Sequence, residues 1–378
     1  MFVEIISIGN ELLSGNTLDT NSNFLCKNLT KSGYIVKEIS TISDNSIQIK
    51  EQIEKSIKRT NIVITTGSLG PTLDDLSKNT FLNFIDKNKT ANIKNSQGSA
   101  PSYLINTQKG ILALLPGVPI EMIEMFNKNL LPYLLNNFKP KNNHFSSNVN
   151  LVLINEIDVN KFLKVLKNKH SNNIDLRVYP SPGLIRVQIS STLNNEIVKT
   201  IKKNIEKYFF SYIFPNNISI LEAINEELRK QGLYVATAES CTGGLLAYSF
   251  SSIPGASKCF KTGIVAYKNE IKKKLLNVKE QIIEKKGAVS KETVREMING
   301  LFQLTDADIA IATSGIAGPT GGTTQKPIGT VYIAVSQKSK YLEIKKYQFQ
   351  GNRELIIINS VNYALGLLWR KLKYNKFD

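Results

Sequence analysis

A chain of 378 residues is longer than one hydrophobic core usually organises, and with 42% hydrophobic and 21% charged residues it is too apolar for a disordered protein. No run approaches the roughly 20 apolar residues a membrane-spanning helix needs, and the chain opens on Phe2-Val3-Glu4-Ile5-Ile6 rather than a basic segment and apolar core, so a cytoplasmic protein is expected. The net charge of +17 invites a polyanionic partner; lysine, however, arrives with abundant asparagine and isoleucine throughout, the bias of an AT-rich coding sequence, and a nucleic-acid role is the less favoured reading.

In chain order, Val3 to Ile8 reads as a strand, Gly9 to Thr20 as a polar loop, and Asn23 to Ser32 as a helix ended by Gly33. Tyr34 to Ser40 is a second strand, Ile47 to Lys58 a helix, and Ile62 to Thr65 a β-branched strand stopping at Thr66-Gly67-Ser68-Leu69-Gly70-Pro71. Ile111 to Leu115 is one more strand, closed by Pro116-Gly117-Val118-Pro119 and followed by a helix from about Ile120. This alternation predicts an α/β domain over residues 1–142 with a parallel sheet. Lys139 to Ser147 reads as a linker. The pattern strand 149–154, helix 158–168, strands 174–179 and 184–191 and helix 195–209 suggests a small α+β module over 143–216. From 217 to 378 the α/β alternation resumes, with a helix at Ile220 to Gln231, strands near 233–238, 262–267, 309–313 and 329–335, and a last helix from Glu354 to Lys373.

The densest chemical signal is Thr237-Ala238-Glu239-Ser240-Cys241-Thr242-Gly243-Gly244, at a junction between strand and helix. A serine there sits among backbone N–H groups that can hold a developing oxyanion, while the alternative is a plain helix cap. The three cysteines, Cys26, Cys241 and Cys259, show no metal-binding spacing, and the two histidines, His144 and His170, both lie outside 217–378. Within this domain a serine nucleophile would need lysine or tyrosine as its base. Ala266-Tyr267-Lys268-Asn269-Glu270-Ile271-Lys272 offers both; Lys272 also reads as part of a solvated lysine run. A second small-residue loop, Thr313 to Gly322, comes after another strand; it has neither the P-loop ending nor a dinucleotide fingerprint. Glycine-rich loops at two strand ends point to one shared pocket.

Ala238-Glu239-Ser240-Cys241-Thr242-Gly243-Gly244, Tyr267-Lys268-Asn269-Glu270, Gly287-Ala288-Val289-Ser290, Ser314 to Pro319 and Lys326-Pro327-Ile328-Gly329-Thr330-Val331 together resemble the C-terminal domain of the CinA family of competence- and damage-inducible proteins. The resemblance implies a C-terminal α/β amidohydrolase acting on nicotinamide mononucleotide, with Ser240 as nucleophile, Lys272 as its activator and Tyr267 supporting the pair, and with no cofactor. It implies substrate contacts at Glu239, Thr242, Gly243, Gly244, Ser314, Gly315, Ala317, Gly318 and Arg353. A second arginine often found in the family is Ile357 here.

Near the N-terminus, Gly9-Asn10-Glu11, Asp19-Thr20-Asn21, Thr66 to Asp75 and Pro116-Gly117 come after successive strands and would meet at one edge of the sheet. They resemble the three-layer molybdopterin-binding fold of the MogA and MoaB type that begins CinA proteins. Gly9, Asn10, Glu11, Gly67, Ser68, Gly70, Thr72, Pro116 and Gly117 are the candidate nucleotide or phosphate contacts, and Asp74 and Asp75, with Glu11, the candidate ligands of a divalent metal. Some family members hydrolyse ADP-ribose there, although Ser68 replaces a usual glycine and the stretch from Phe84 to Gly98 is short for the family. The middle module resembles the family's KH-like connector without an RNA-binding G-x-x-G loop, and suggests a structural arm supporting a homodimer. Competing with the enzyme reading are a nucleic-acid-associated competence or damage protein and a nucleotide or pterin binder without turnover.

Overall fold

The computed structural model describes residues 1–67, 90–93, 97–98, 100, 102–107, 109–140, 145–170 and 174–376. It divides into two compact units, Met1–Phe145 and Ser146–Asp378. No helix among the described residues is long and apolar enough to cross a membrane.

The first unit is a three-layer α/β structure around a six-stranded sheet of order β2-β1-β3-β6-β5-β4. Its strands are β1 (Phe2–Ile8), β2 (Ile35–Ile42), β3 (Ile62–Thr66), β4 (Thr90–Ile93), β5 (Ser102–Asn106) and β6 (Ile111–Leu115). Alternation along β1 sends Val3 and Ile5 to one face, against Leu25 and Leu29 of helix Thr20–Lys31 and Met122 and Met125 of helix Pro119–Met125. Ile6 and Ile8 go to the other, against Ile49 and Ile53 of helix Ser46–Arg59. The parallel sheet expected from the sequence is present at β2-β1-β3-β6 and ends there: β5 and β4 run antiparallel. Asn106 and Ile111 are too close in sequence for the long crossover that a parallel pair requires.

In the second unit a four-stranded sheet of order β10-β7-β9-β8 comes first, built from β7 (Phe145–Val152), β8 (Asp175–Ser181), β9 (Leu184–Ser191) and β10 (Ile213–Phe214). Helices Glu156–His170 and Asn195–Tyr208 belong to the same region. It is fastened to the 22-residue helix Arg353–Tyr374 through Trp369, Arg370 and Tyr374, which donate to Ile213 O (2.6 Å), Ser211 O (3.0 Å) and Ile213 O (2.9 Å). The turn Pro182-Gly183 docks on that helix as well. Asn362 donates to Pro182 O at 2.8 Å, and a Cβ on Gly183 would meet Asn362 and Tyr363.

A five-stranded sheet of order β12-β11-β13-β14-β15 completes the unit, comprising β11 (Val235–Glu239), β12 (Phe260–Val265), β13 (Ile309–Gly315), β14 (Thr330–Gln337) and β15 (Tyr341–Gln348). β12, β11 and β13 are parallel, and β14 and β15 antiparallel. One face carries large residues, Val235, Ile309, Ile311, Val331 and Ile333, under helices Ile220–Gln231 and Arg353–Tyr374. The opposite face carries Ala236, Ala238, Ala310, Ala312 and Ala334, letting Val294, Met297, Ile298 and Leu301 of helix Lys291–Leu304 pack closely.

Candidate active site

β11 is buried throughout, flanked by β12 and β13, and ends at Glu239. Strand parity sets where the side chains point. Val235, Thr237 and Glu239 share the face of helix Leu245–Ser251, whereas Ala236, Ala238 and then Ser240 continue the opposite row, toward helix Asn269–Leu276. Ser240, 8% exposed, donates its backbone N–H to Thr313 O at 3.0 Å. A turn through Gly243 (φ 61°) and Gly244 (φ 100°) then starts helix Leu245–Ser251. Among the described residues, the N–H groups of Cys241 and Thr242 donate to no acceptor on another residue.

Lys272 comes from helix Asn269–Leu276, whose preceding loop is tied to β11 by Ala266 N–H donating to Glu239 O at 2.7 Å. It is 1% exposed, and its Nζ lies 2.9 Å from Ser240 Oγ, 2.7 Å from Ala266 O and 2.9 Å from Tyr267 O. All three partners are neutral, and burial lowers its pKa from the ordinary 10.5 to about 8. Burial acts oppositely on the neighbouring Cys241, pushing its thiol up to about 12, which leaves it protonated and a poor nucleophile at neutral pH. The hydroxyl, rather than the adjacent thiol, is the group poised for activation.

The second loop reaches the same region. Ser314 Oγ donates to Ala288 O at 2.8 Å, so this buried hydroxyl is spent on holding the Gly287–Ser290 segment. Arg353, at the start of the last helix, donates from Nη1 to Gly318 O at 2.8 Å and from Nη2 to the Tyr267 hydroxyl at 3.2 Å. Tyr267 therefore meets Lys272 through its carbonyl, while its exposed hydroxyl meets Arg353. Ile357 packs against the hydrophobic core.

In the first unit, β1, β3 and β6 end around a cavity of about 200 Å³ lined by Gly9, Glu11, Asp19, Thr20, Asn21, Asp44, Thr66, Gly67 and Gly117, among others. Gly67 (φ 104°) must be glycine, because a Cβ there would fall 2.1 Å from Ile8 O. Asn21 Nδ2 bridges Thr66 Oγ1 (2.9 Å) and Gly117 O (2.7 Å), and Thr66 Oγ1 donates to Pro116 O at 2.9 Å. Asp19 caps helix Thr20–Lys31 through Ser22 N–H and accepts from Ser7 Oγ at 2.6 Å. Asn10 Oδ1 accepts from Asp44 N–H at 3.3 Å. Ser68, Gly70, Thr72, Asp74 and Asp75 lie outside the described residues, as does most of Phe84 to Gly98. Among the described residues no group of three or more His, Cys, Asp and Glu side chains could hold a metal.

Two family models match the chain: "CinA C-terminal domain" over residues 217–372 and "Probable molybdopterin binding domain" over residues 4–136. A CinA-like protein of Thermosipho melanesiensis is 36% identical, with 97% of this chain and 98% of that protein covered. One from Kosmotoga olearia is 35% identical, covering 98% and 99%. The chain belongs to the CinA family. Among solved structures, a CinA superfamily protein from Klebsiella pneumoniae is similar at 35% identity over 41% of this chain and 96% of that one, with a TM-score of 0.40.

Seen as a CinA protein, the chain gathers Ser240, Lys272, the Tyr267 carbonyl, the Thr313–Gly318 loop and Arg353 at one sheet end. Besides the Ser314 hydroxyl, two further side chains expected to contact substrate are turned elsewhere. Glu239 is 0% exposed, and its carboxylate accepts from the N–H groups of Gly244 (3.0 Å), Leu246 (3.1 Å) and Ala247 (2.7 Å) and from Thr242 Oγ1 (2.7 Å). Thr242 is buried, its hydroxyl also 2.7 Å from Thr313 Oγ1. Neither side chain is open to a ligand. Sequence reasoning missed the roles of Thr313, Ala266 and Ala288, whose carbonyls and hydroxyl act through tertiary contacts that residue type does not signal.

Proposed function

We propose that this CinA protein hydrolyses the carboxamide of nicotinamide mononucleotide to nicotinic acid mononucleotide and ammonia by a serine–lysine mechanism in its C-terminal domain, residues 217–378. The observation that carries the reading is the set of three acceptors around Lys272 Nζ. A neutral amine has two N–H bonds and one lone pair. With the two N–H groups taken by the carbonyls of Ala266 and Tyr267, the lone pair is left facing Ser240 Oγ, the direction in which a base must accept the hydroxyl proton.

Ser240 Oγ attacks the carboxamide carbon as Lys272 takes its proton. The N–H groups of Cys241 and Thr242 are available to the oxyanion, that of Ser240 being engaged by Thr313. The Lys272 ammonium then protonates the leaving nitrogen, ammonia departs, and a water activated by the regenerated amine hydrolyses the acyl-enzyme. Arg353, at the rim and held by Gly318 O, supplies the cation for the nucleotide phosphate. A reducing, cytoplasmic setting fits the free Cys26, Cys241 and Cys259. Ammonia release from nicotinamide mononucleotide tests the proposal: it is expected from the native protein and lost in folded Ser240→Ala and Lys272→Met variants. No release from the native protein would refute it.

For the N-terminal domain, the backbone of Gly9, Gly67 and Gly117 in the cavity wall supports nucleotide binding, with Asn21 bracing that wall through Thr66 Oγ1 and Gly117 O. Glu11 lines the cavity, while Asp74 and Asp75, the other candidate ligands of a divalent metal for ADP-ribose hydrolysis, lie outside the described residues. Against a nucleic-acid role stands the Pro182-Gly183 turn, whose carbonyls accept from Asn362 and Leu153 and whose glycine packs closely on Asn362 and Tyr363.

A further inference from the structure

We infer that Glu239 is a positioning residue for the nucleophile, acting with Thr242 and Thr313 to hold the turn from Ser240 to Gly244 in the one shape that presents Ser240 Oγ to Lys272. The inference rests on the serine–lysine reading and goes beyond it, because Glu239 makes no contact with the reacting atoms.

The placement of this side chain is unusual. A carboxylate at 0% exposure, with no cation bonded to it among the described residues, is unfavourable unless donors replace its water. Glu239 receives three backbone N–H groups from Gly244, Leu246 and Ala247 and the hydroxyl of Thr242, with Thr237 Oγ1 further off at 3.4 Å. Those N–H groups belong to the start of helix Leu245–Ser251, where backbone donors lack partners of their own and the helix dipole favours a negative charge. The side chain thus bonds forward across the turn that contains Ser240 and fixes both of its ends.

A second link closes the frame. Thr242 Oγ1, while donating to Glu239, lies 2.7 Å from Thr313 Oγ1, and Thr313 O accepts the Ser240 N–H at 3.0 Å. Ser240 is held on one side by β13 and on the other by a turn that β13 and Glu239 hold together. On the far side, Ala266 N–H donates to Glu239 O, so the residue's backbone ties down the loop whose carbonyls orient Lys272. Nucleophile and base are both registered against Glu239. A displacement of about 1 Å between such groups costs on the order of 100-fold in rate.

The test uses covalent labelling of Ser240 by a fluorophosphonate, in which Ser240 Oγ bonds to phosphorus, fluoride leaves and Lys272 takes the hydroxyl proton. It needs no assumption about the natural substrate. The full-length native protein should label and Ser240→Ala should not. Glu239→Gln keeps the size but turns an amide NH2 toward N–H donors; it should label about 100-fold more slowly with an unchanged pH midpoint, since the lysine environment is intact. Should that variant not fold, Thr242→Val and Thr242→Ser decide. The valine loses both hydroxyl contacts and should label slowly, while the serine restores them and should label near the native rate. Native-rate labelling of folded Glu239→Gln or Thr242→Val overturns the inference, as does a moved pH midpoint at undiminished maximal rate, which would mean that Glu239 acts through its charge. No labelling of the native protein would overturn the serine–lysine reading itself, an outcome distinct from the others.

Discussion

The pH dependence of the proposed amidase reaction should follow Lys272. With its pKa lowered from 10.5 to about 8 by burial, the fraction of neutral amine at pH 7 is about 10%, against about 0.03% for an ordinary lysine, a gain of roughly 300-fold in active base. Because the neutral form is the base, kcat/KM should climb about tenfold from pH 6 to 7 and flatten above about 8. The assay is initial-rate ammonia release from nicotinamide mononucleotide between pH 5.5 and 9.5, with fluorophosphonate labelling of Ser240 measured over the same range. A rise that continues unbroken toward pH 10, or a profile flat from pH 6 to 9, would refute the claim that a desolvated Lys272 is the base.

The same shift has a stability signature. The folded pKa of Lys272 lies below its unfolded value, so between about pH 8 and 10.5 the unfolded chain binds more protons and native stability rises with pH. Lys272→Met lacks this slope, and in urea melts the native protein should gain on it by up to about 3 kcal/mol across that window, with a constant difference below it. Gly300→Ala should destabilise, although alanine is ordinarily the better helix former, because its Cβ would lie 2.2 Å from Leu276 O. Overpacking of this kind costs about 1–3 kcal/mol, and since Leu276 ends the helix carrying Lys272, activity should fall with the melting temperature. Gly263→Ala, with a Cβ 2.3 Å from that of Ala247, should push helix Leu245–Ser251 off β12 and slow Ser240 labelling; an unchanged rate would show that the helix is not what registers the nucleophile. Arg353→Ala should raise KM for nicotinamide mononucleotide about 10- to 100-fold with little change in kcat, the loss of a charged hydrogen bond. An equal rise for the phosphate-free riboside would sink the phosphate assignment.

Some of this was legible in the chain because the information is local. The β-branched run Ile62–Thr66, the Gly232 stop after helix Ile220–Gln231 and the glycines after β11 and β13 act within a few residues, and residue type nearly dictates the outcome. The antiparallel ends of the six- and five-stranded sheets were not, since strand direction depends on where the chain is led back, and β15 alternates too weakly to stand out. Glu239 shows the boundary most clearly. The family resemblance implies a ligand contact there, yet strand parity turns it toward the helix and away from the site.

By itself, then, the sequence determined the α/β character, the presence of a serine at a strand-to-helix junction with no histidine in its domain, and membership in a family read from motif order. Tertiary structure alone decided that Lys272 is buried with two carbonyls and Ser240 around its amine, that Glu239 and Thr242 face inward, and that Arg353 reaches Gly318 across the sheet end. A pattern of residue types specifies which groups are present. Their burial, and hence which of them carries a proton, depends on segments far apart in the chain being brought into contact, which no local pattern encodes.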